Sequence, residues 1–121
     1  AAQERARPLL EGWRSGEPIR MRATWLFNMV NTSVVLGLAP ADAGSYERLD
    51  AMYAALEAVK PLGYAMTPHI TMAYYRPGCY ARDQVEALRA ALRPVELELT
   101  LGMDGLVLQD FADMNSYVTV F

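Results

Sequence analysis

The residues in this 121-residue chain best placed to do chemistry are its one histidine, His69, and Thr71 two positions later. They stand in the run Thr67-Pro68-His69-Ile70-Thr71-Met72-Ala73-Tyr74-Tyr75. On an extended strand side chains alternate between faces. That alternation predicts His69, Thr71 and Tyr75 on one face, with Ile70, Met72 and Tyr74 on the other. An imidazole gives or takes a proton near neutrality, and such transfer is worth on the order of 10²–10⁴-fold in rate. A threonine hydroxyl on a stiff β-branched side chain donates to an anionic oxygen with little reordering. The pair suits phosphate-ester chemistry, although that chemistry uses two proton-transfer roles and one histidine fills one. Two other readings stay open on the residues alone. His69 is either a buried, hydrogen-bonded structural residue, or a metal ligand with one distant Cys79 and no second histidine to help it.

The elements that must position His69 belong to a chain long enough for one domain with a real core. Apolar residues make up 53% and charged residues 21%, a globular balance. No apolar run approaches the ~20 residues of a membrane span, and no basic segment followed by an apolar stretch marks a signal peptide. One cysteine excludes an internal disulfide and fits a reducing, cytoplasmic setting. The net charge of −3 argues against a non-specific nucleic-acid binder. The charge is unevenly spread. Arg5, Arg7, Arg14, Arg20 and Arg22 precede residue 23, while Glu96, Glu98, Asp104, Asp110 and Asp113 are the only charges after Pro94. Either these regions neutralise each other, or some arginines line a phosphate cleft.

A short helix is predicted over residues 3–15, interrupted early by Pro8 and ended by Gly16-Glu17-Pro18. Ile19, Met21, Ala23, Trp25, Phe27 and Met29 then alternate with Arg20, Arg22, Thr24 and Asn28, with Leu26 as the exception. This reads as a half-buried strand. Asn31-Thr32 turns the chain into a return strand over residues 33–38, where Gly37 marks a bulge or a close backbone approach. A helix over residues 45–60 carries the stripe Tyr46, Leu49, Met52, Tyr53, Leu56 and Val59, capped by Asp42 or Ser45. The His69 strand is placed at about residues 64–76. A second helix follows over 82–92, with Val85, Leu88 and Leu92 inward. Strands come next at 95–101, at the buried run 106–108 and at 117–121, with a turn over Ala112–Asn115. Gly102 and Gly105 allow a bulge between the first two of these strands. This order predicts an α+β domain spanning residues 1–121, a largely antiparallel sheet with helices packed on one side.

Pro68-His69-Ile70-Thr71-Met72 resembles the H-x-T-hydrophobic signature of the 2H phosphoesterase superfamily, which includes the bacterial 2′–5′ RNA ligase-like proteins and cyclic phosphodiesterases. The preceding Val34-Val35-Leu36-Gly37-Leu38 strand, the helix that follows it and the closing strands extend the likeness from about residue 19 to the end. The resemblance implies a two-lobed fold in which each lobe brings one such strand to a central cleft. It implies one histidine as base, the other as acid, and both threonines on the phosphate, without a metal or other cofactor. The substrates it implies are 2′,3′-cyclic or 2′–5′ phosphodiesters of RNA-like molecules.

His69 and Thr71 carry over as catalytic residues, and Tyr75 and Arg76 as candidates for substrate contact. Tyr75 would stack on a base. The first motif has no counterpart, so the chain reads as the C-terminal portion of a 2H protein. Its expected partner is an N-terminal portion carrying the other motif, and the isolated chain should have little activity. The rival reading is a non-catalytic nucleotide- or protein-binding module that keeps the fold. A third is self-association that brings two His69 residues together across a two-fold axis.

Overall fold

The computed structural model describes residues 2–64, 66–113 and 116–121. It is an α+β fold built from helix α1 (Ala2–Arg14), the hairpin β1 (Ile19–Met29) and β2 (Ser33–Pro40), helix α2 (Ala43–Val59), strand β3 (His69–Tyr74), helix α3 (Arg82–Ala91), strand β4 (Glu98–Leu101) and the hairpin β5 (Gln109–Asp113) and β6 (Ser116–Thr119). The main sheet has the order β3-β2-β1-β4, antiparallel throughout, and β5-β6 form a separate ribbon. β3, the strand that bears His69, lies at one edge.

One face of the sheet makes the core. Ile19, Met21, Ala23, Leu36, Leu38 and Met103 are buried together, with Leu26 of β1, Leu49 and Met52 of α2 and Leu99 of β4 packed against them. Burying one such side chain is worth about 1.5–3 kcal/mol. α2 is set on this face by its start. Asp42 accepts a 2.7 Å bond from the Ser45 N–H, and the fully buried Ser45 hydroxyl accepts from the Arg20 N–H at 2.9 Å. Arg48 ties the same helix to the Pro18 carbonyl at 2.7 Å. Tyr46, expected in the apolar stripe, is 59% exposed.

Both strand readings are corrected by bulges. Ala23 pairs with Leu38 but Leu26 pairs with Leu36, so β1 holds one extra residue beside Gly37. A one-residue insertion flips every later side chain. Leu26, the exception to the alternation, therefore joins the core face, and Phe27 and Met29 move to the opposite one. Segment 93–97 follows this irregularity with single bonds to β1, from Leu26 to Arg93 and from Ala23 to Leu97, so the regular β4 begins only at Glu98. The hairpin turn centres on Val30 and Asn31, both at positive φ (44° and 60°), one residue earlier than the sequence suggests. α1 runs through Pro8 without interruption.

Residues 106–108 are not a buried strand. A 3₁₀ turn at Met103–Gly105 precedes them, Val107 is exposed, and β5 begins only at Gln109, although Leu108 already bonds to Val120 and Phe121. Of the expected turn over 112–115, Ala112 and Asp113 belong to β5, and Met114 and Asn115 lie outside the described residues. Among the described residues, no helix is long and apolar enough to cross a membrane.

Candidate functional site

β3 starts where Pro68 leaves its carbonyl to the Leu38 N–H, 3.0 Å away, and then runs against β2. The register places Gly37 opposite His69, Leu36 opposite Ile70 and Val35 opposite Thr71. Leu36 is a core residue, so His69 and Thr71 lie on the face turned away from α2. Beyond Thr71 the ladder slips, because Val34 pairs with Ala73 and Met72 is the extra residue.

This slip reverses the expected placement of the two tyrosines. Tyr74, paired with Ser33, joins the face of His69 and Thr71, and its hydroxyl lies 3.3 Å from that of Tyr117 on β6. Tyr75 is on the helix face. Its hydroxyl donates to Asn28 Oδ1 at 3.0 Å, and its ring meets Tyr80 edge-on. It lines a cleft of about 610 Å³ beneath α3 with Asn28, Leu88 and Leu92. The structure therefore does not bring Tyr75 to His69. Val85, expected inward on α3, lines the same cleft but stays 39% exposed. Arg76 follows β3, exposed, with its carbonyl accepting from the Tyr80 hydroxyl.

The site face is ordered in rows across the sheet. Phe27, Val35 and Thr71 form one row, and Met29, Ser33 and Tyr74 the next. In the His69 row, Gly37 has no side chain, and two neighbours close over it. A Cβ there would stand 2.8 Å from Thr24 Oγ1 and 3.0 Å from Phe27 Cε1. Thr24 and Phe27 thus form the floor beside His69. Sequence reasoning put Phe27 on the opposite face; the break in alternation at Leu26 was the signal that could have found it.

His69 is exposed, which sets aside the buried structural reading. Its Nδ1 lies 2.7 Å from the Thr67 carbonyl. A carbonyl only accepts, so Nδ1 carries the proton and donates, and Nε2 is left as the basic nitrogen. Thr71, one strand repeat or roughly 6.6 Å along, is exposed on the same face.

The arginines divide. Arg20 spans Asp42 (3.6 Å) and Glu98 (3.5 Å), so part of the N-terminal charge is neutralised by a C-terminal anion. Such exposed pairs are worth about 0–1 kcal/mol. Arg14 donates to the Leu106 carbonyl, Arg5 to that of Val59, and Arg7 sits over the Phe121 ring. Arg22 pairs in register with Glu98 on the face opposite Met21 and Ala23, which is the His69 face. Two shifts mark the surroundings. Burial, then the neighbouring Tyr80, raises the Tyr75 hydroxyl above its usual range. The Tyr74 hydrogen bond, then burial, raises that of Tyr117.

Comparison with protein-family models, with curated proteins and with solved structures returned no match.

Proposed function

We propose that this chain carries one half of a two-histidine phosphodiesterase site, acting on 2′,3′-cyclic or 2′–5′ phosphodiesters of RNA-like molecules. The observation that carries the reading is the His69–Thr71 pair. An imidazole with Nδ1 committed to Thr67 and Nε2 open stands on an exposed strand face beside a free hydroxyl. In hydrolysis of a cyclic phosphate, Nε2 of one imidazole takes a proton from the attacking water, and its oxygen forms the new bond to phosphorus. The bond from phosphorus to one ribose oxygen breaks, and that oxygen receives a proton from a second, protonated imidazole. Thr71 donates to a non-bridging oxygen as charge develops there. A ligase would run the 2′–5′ case in reverse.

His69 performs one of the two proton transfers, so a lone copy of the chain is a poor catalyst. The free, exposed Cys79 fits a reducing compartment, and we place the protein in the cytoplasm.

The test is hydrolysis of a 2′,3′-cyclic nucleotide followed by phosphorus NMR, comparing the chain with His69→Ala. Product that depends on His69 supports the reading. Binding of the nucleotide with no turnover at any protein concentration would favour a non-catalytic binding module instead.

A further inference from the structure

Among the described residues, the strand that carries His69 has an edge that pairs with no other strand. The bond from the Leu38 N–H to Pro68 sets the phase of the β2–β3 ladder. Main-chain groups of an antiparallel strand point alternately to its two sides. The Pro68 carbonyl and the N–H and C=O of Ile70 therefore face β2, and His69 and Thr71 direct their N–H and C=O away from the sheet. Past the bulge, the Tyr75 N–H turns back to the Thr32 carbonyl, just before β2. The edge is uncharged from His69 to Tyr74 and has no proline in it. Ile70, Met72 and Tyr74 are 39%, 58% and 45% exposed. Lysines, prolines, inward charges and bulges are the usual guards of such an edge; from His69 to Thr71 it has none of them, and its one bulge lies beyond, at Met72.

We infer that β3 pairs antiparallel with β3 of a second copy of this chain, about a two-fold axis through Ile70, and that this pairing completes the catalytic site. The inference rests on the phosphodiesterase reading above and names the partner of that site. A second copy fits for three reasons. Its edge carries no charge to repel an uncharged strand. Its outward groups at two positions, His69 and Thr71, match their own inverted copy. Setting His69 against the partner's Thr71, and the reverse, makes four main-chain hydrogen bonds. The register centred on His69 needs the Thr67 carbonyl, which the His69 ring already holds. The register centred on Thr71 runs into the Met72 bulge.

A two-fold axis normal to a sheet keeps each face on its own side. Both His69 and both Thr71 side chains then lie on one continuous face. Each histidine is directly across from a threonine at about 5.5 Å between Cα atoms, and the two histidines are diagonal at about 7–8 Å. That separation leaves a phosphate between two imidazoles, one free to act as base and the other as acid, with a hydroxyl from each chain.

Sedimentation equilibrium of the chain at micromolar to hundred-micromolar concentration tests the interface without reference to activity. Ile70→Lys puts two ammonium groups opposite each other on the axis, and because Ile70 is exposed the monomer keeps its fold, checked by circular dichroism. The expected result is a dimer for the native chain and a monomer for Ile70→Lys. Ile70→Cys, made with Cys79→Ser, should cross-link across the axis on mild oxidation, since the paired Cα atoms fall within the ~4.4–6.8 Å a disulfide spans.

Mixing tests the shared site. An equal mixture of native chain and His69→Ala, allowed to exchange, should keep a quarter of the activity of undiluted native protein, against a half for independent sites. A native chain that stays monomeric, a dimer that survives Ile70→Lys, or half activity in the mixture overturns the inference. A dimer that cross-links at Ile70→Cys but hydrolyses nothing leaves the interface standing and removes the phosphodiesterase reading.

Discussion

Gly37 lies directly across from His69, and replacing it with alanine measures how tightly the floor of the site is built. The new methyl carbon would sit 2.8 Å from Thr24 Oγ1 and 3.0 Å from Phe27 Cε1. Ordinary contacts begin near 3.4 Å, so the hydroxyl and the ring edge must each retreat by several tenths of an ångström. Overpacking of this kind costs about 1–3 kcal/mol. Alanine regains about 0.5–1 kcal/mol over glycine inside a strand. The expected net loss is therefore about 0–2.5 kcal/mol, the difference of those ranges.

Urea unfolding followed by circular dichroism should show a lower midpoint at unchanged slope. Gly12→Ala is the internal control. Nothing lies within 4 Å of an added Cβ there, so it should gain up to about 1 kcal/mol in α1. Thr24→Ala in the Gly37→Ala background removes the closer clash, and the two changes should couple by at least about 0.5 kcal/mol. A Gly37→Ala protein as stable as Gly12→Ala, or a double variant with purely additive losses, would refute the packing argument.

Val30 holds φ at 44° while 83% exposed, a costly conformation for a β-branched residue, so Val30→Gly should raise stability by about 0.5–1 kcal/mol in thermal melts. Thr71→Val keeps the shape of an exposed side chain and removes its hydroxyl. Turnover of a cyclic nucleotide should fall on the order of 10²-fold with the melting temperature nearly unchanged. The Ser45 N–H and hydroxyl, then Arg20 and Arg48, hold the Asp42 carboxyl below its usual range. Its contribution to stability is complete above the unfolded value of about 3.9 and is lost as pH falls through the lower folded value. Asp42→Asn keeps a capping oxygen without the titration, so its stability, followed by thermal melts across the acid range, should fall less steeply below pH ~4 than that of the native chain.

Local chemistry was legible where it acts over a few residues. Asp42 caps α2 as its type suggests, and Gly37 marks a close approach to Thr24 and Phe27. The fold class and the antiparallel hairpin follow from alternating polarity and turn residues in the same way. The extent of β3 was overread. The ladder covers His69–Tyr74; Tyr64 lies in a bend, and Pro68 and Tyr75 each keep a single bond, to Leu38 and Thr32, without extending the strand. The cleft under α3 was invisible, because Asn28, Tyr75 and Leu88 are far apart in the chain and meet only through packing.

What the sequence determined by itself was the pairing of an imidazole with a hydroxyl two residues on, since a period of two holds wherever a strand is regular. Only the tertiary structure decided which aromatic residues accompany them. Two bulges, one beside Gly37 in β1 and one at Met72 in β3, each insert a single residue against the partner strand. Each insertion exchanges the faces of everything downstream, bringing Phe27 and Tyr74 to the side of His69 and taking Tyr75 to the other. A bulge is a property of two strands in register, and no count along one strand can locate it.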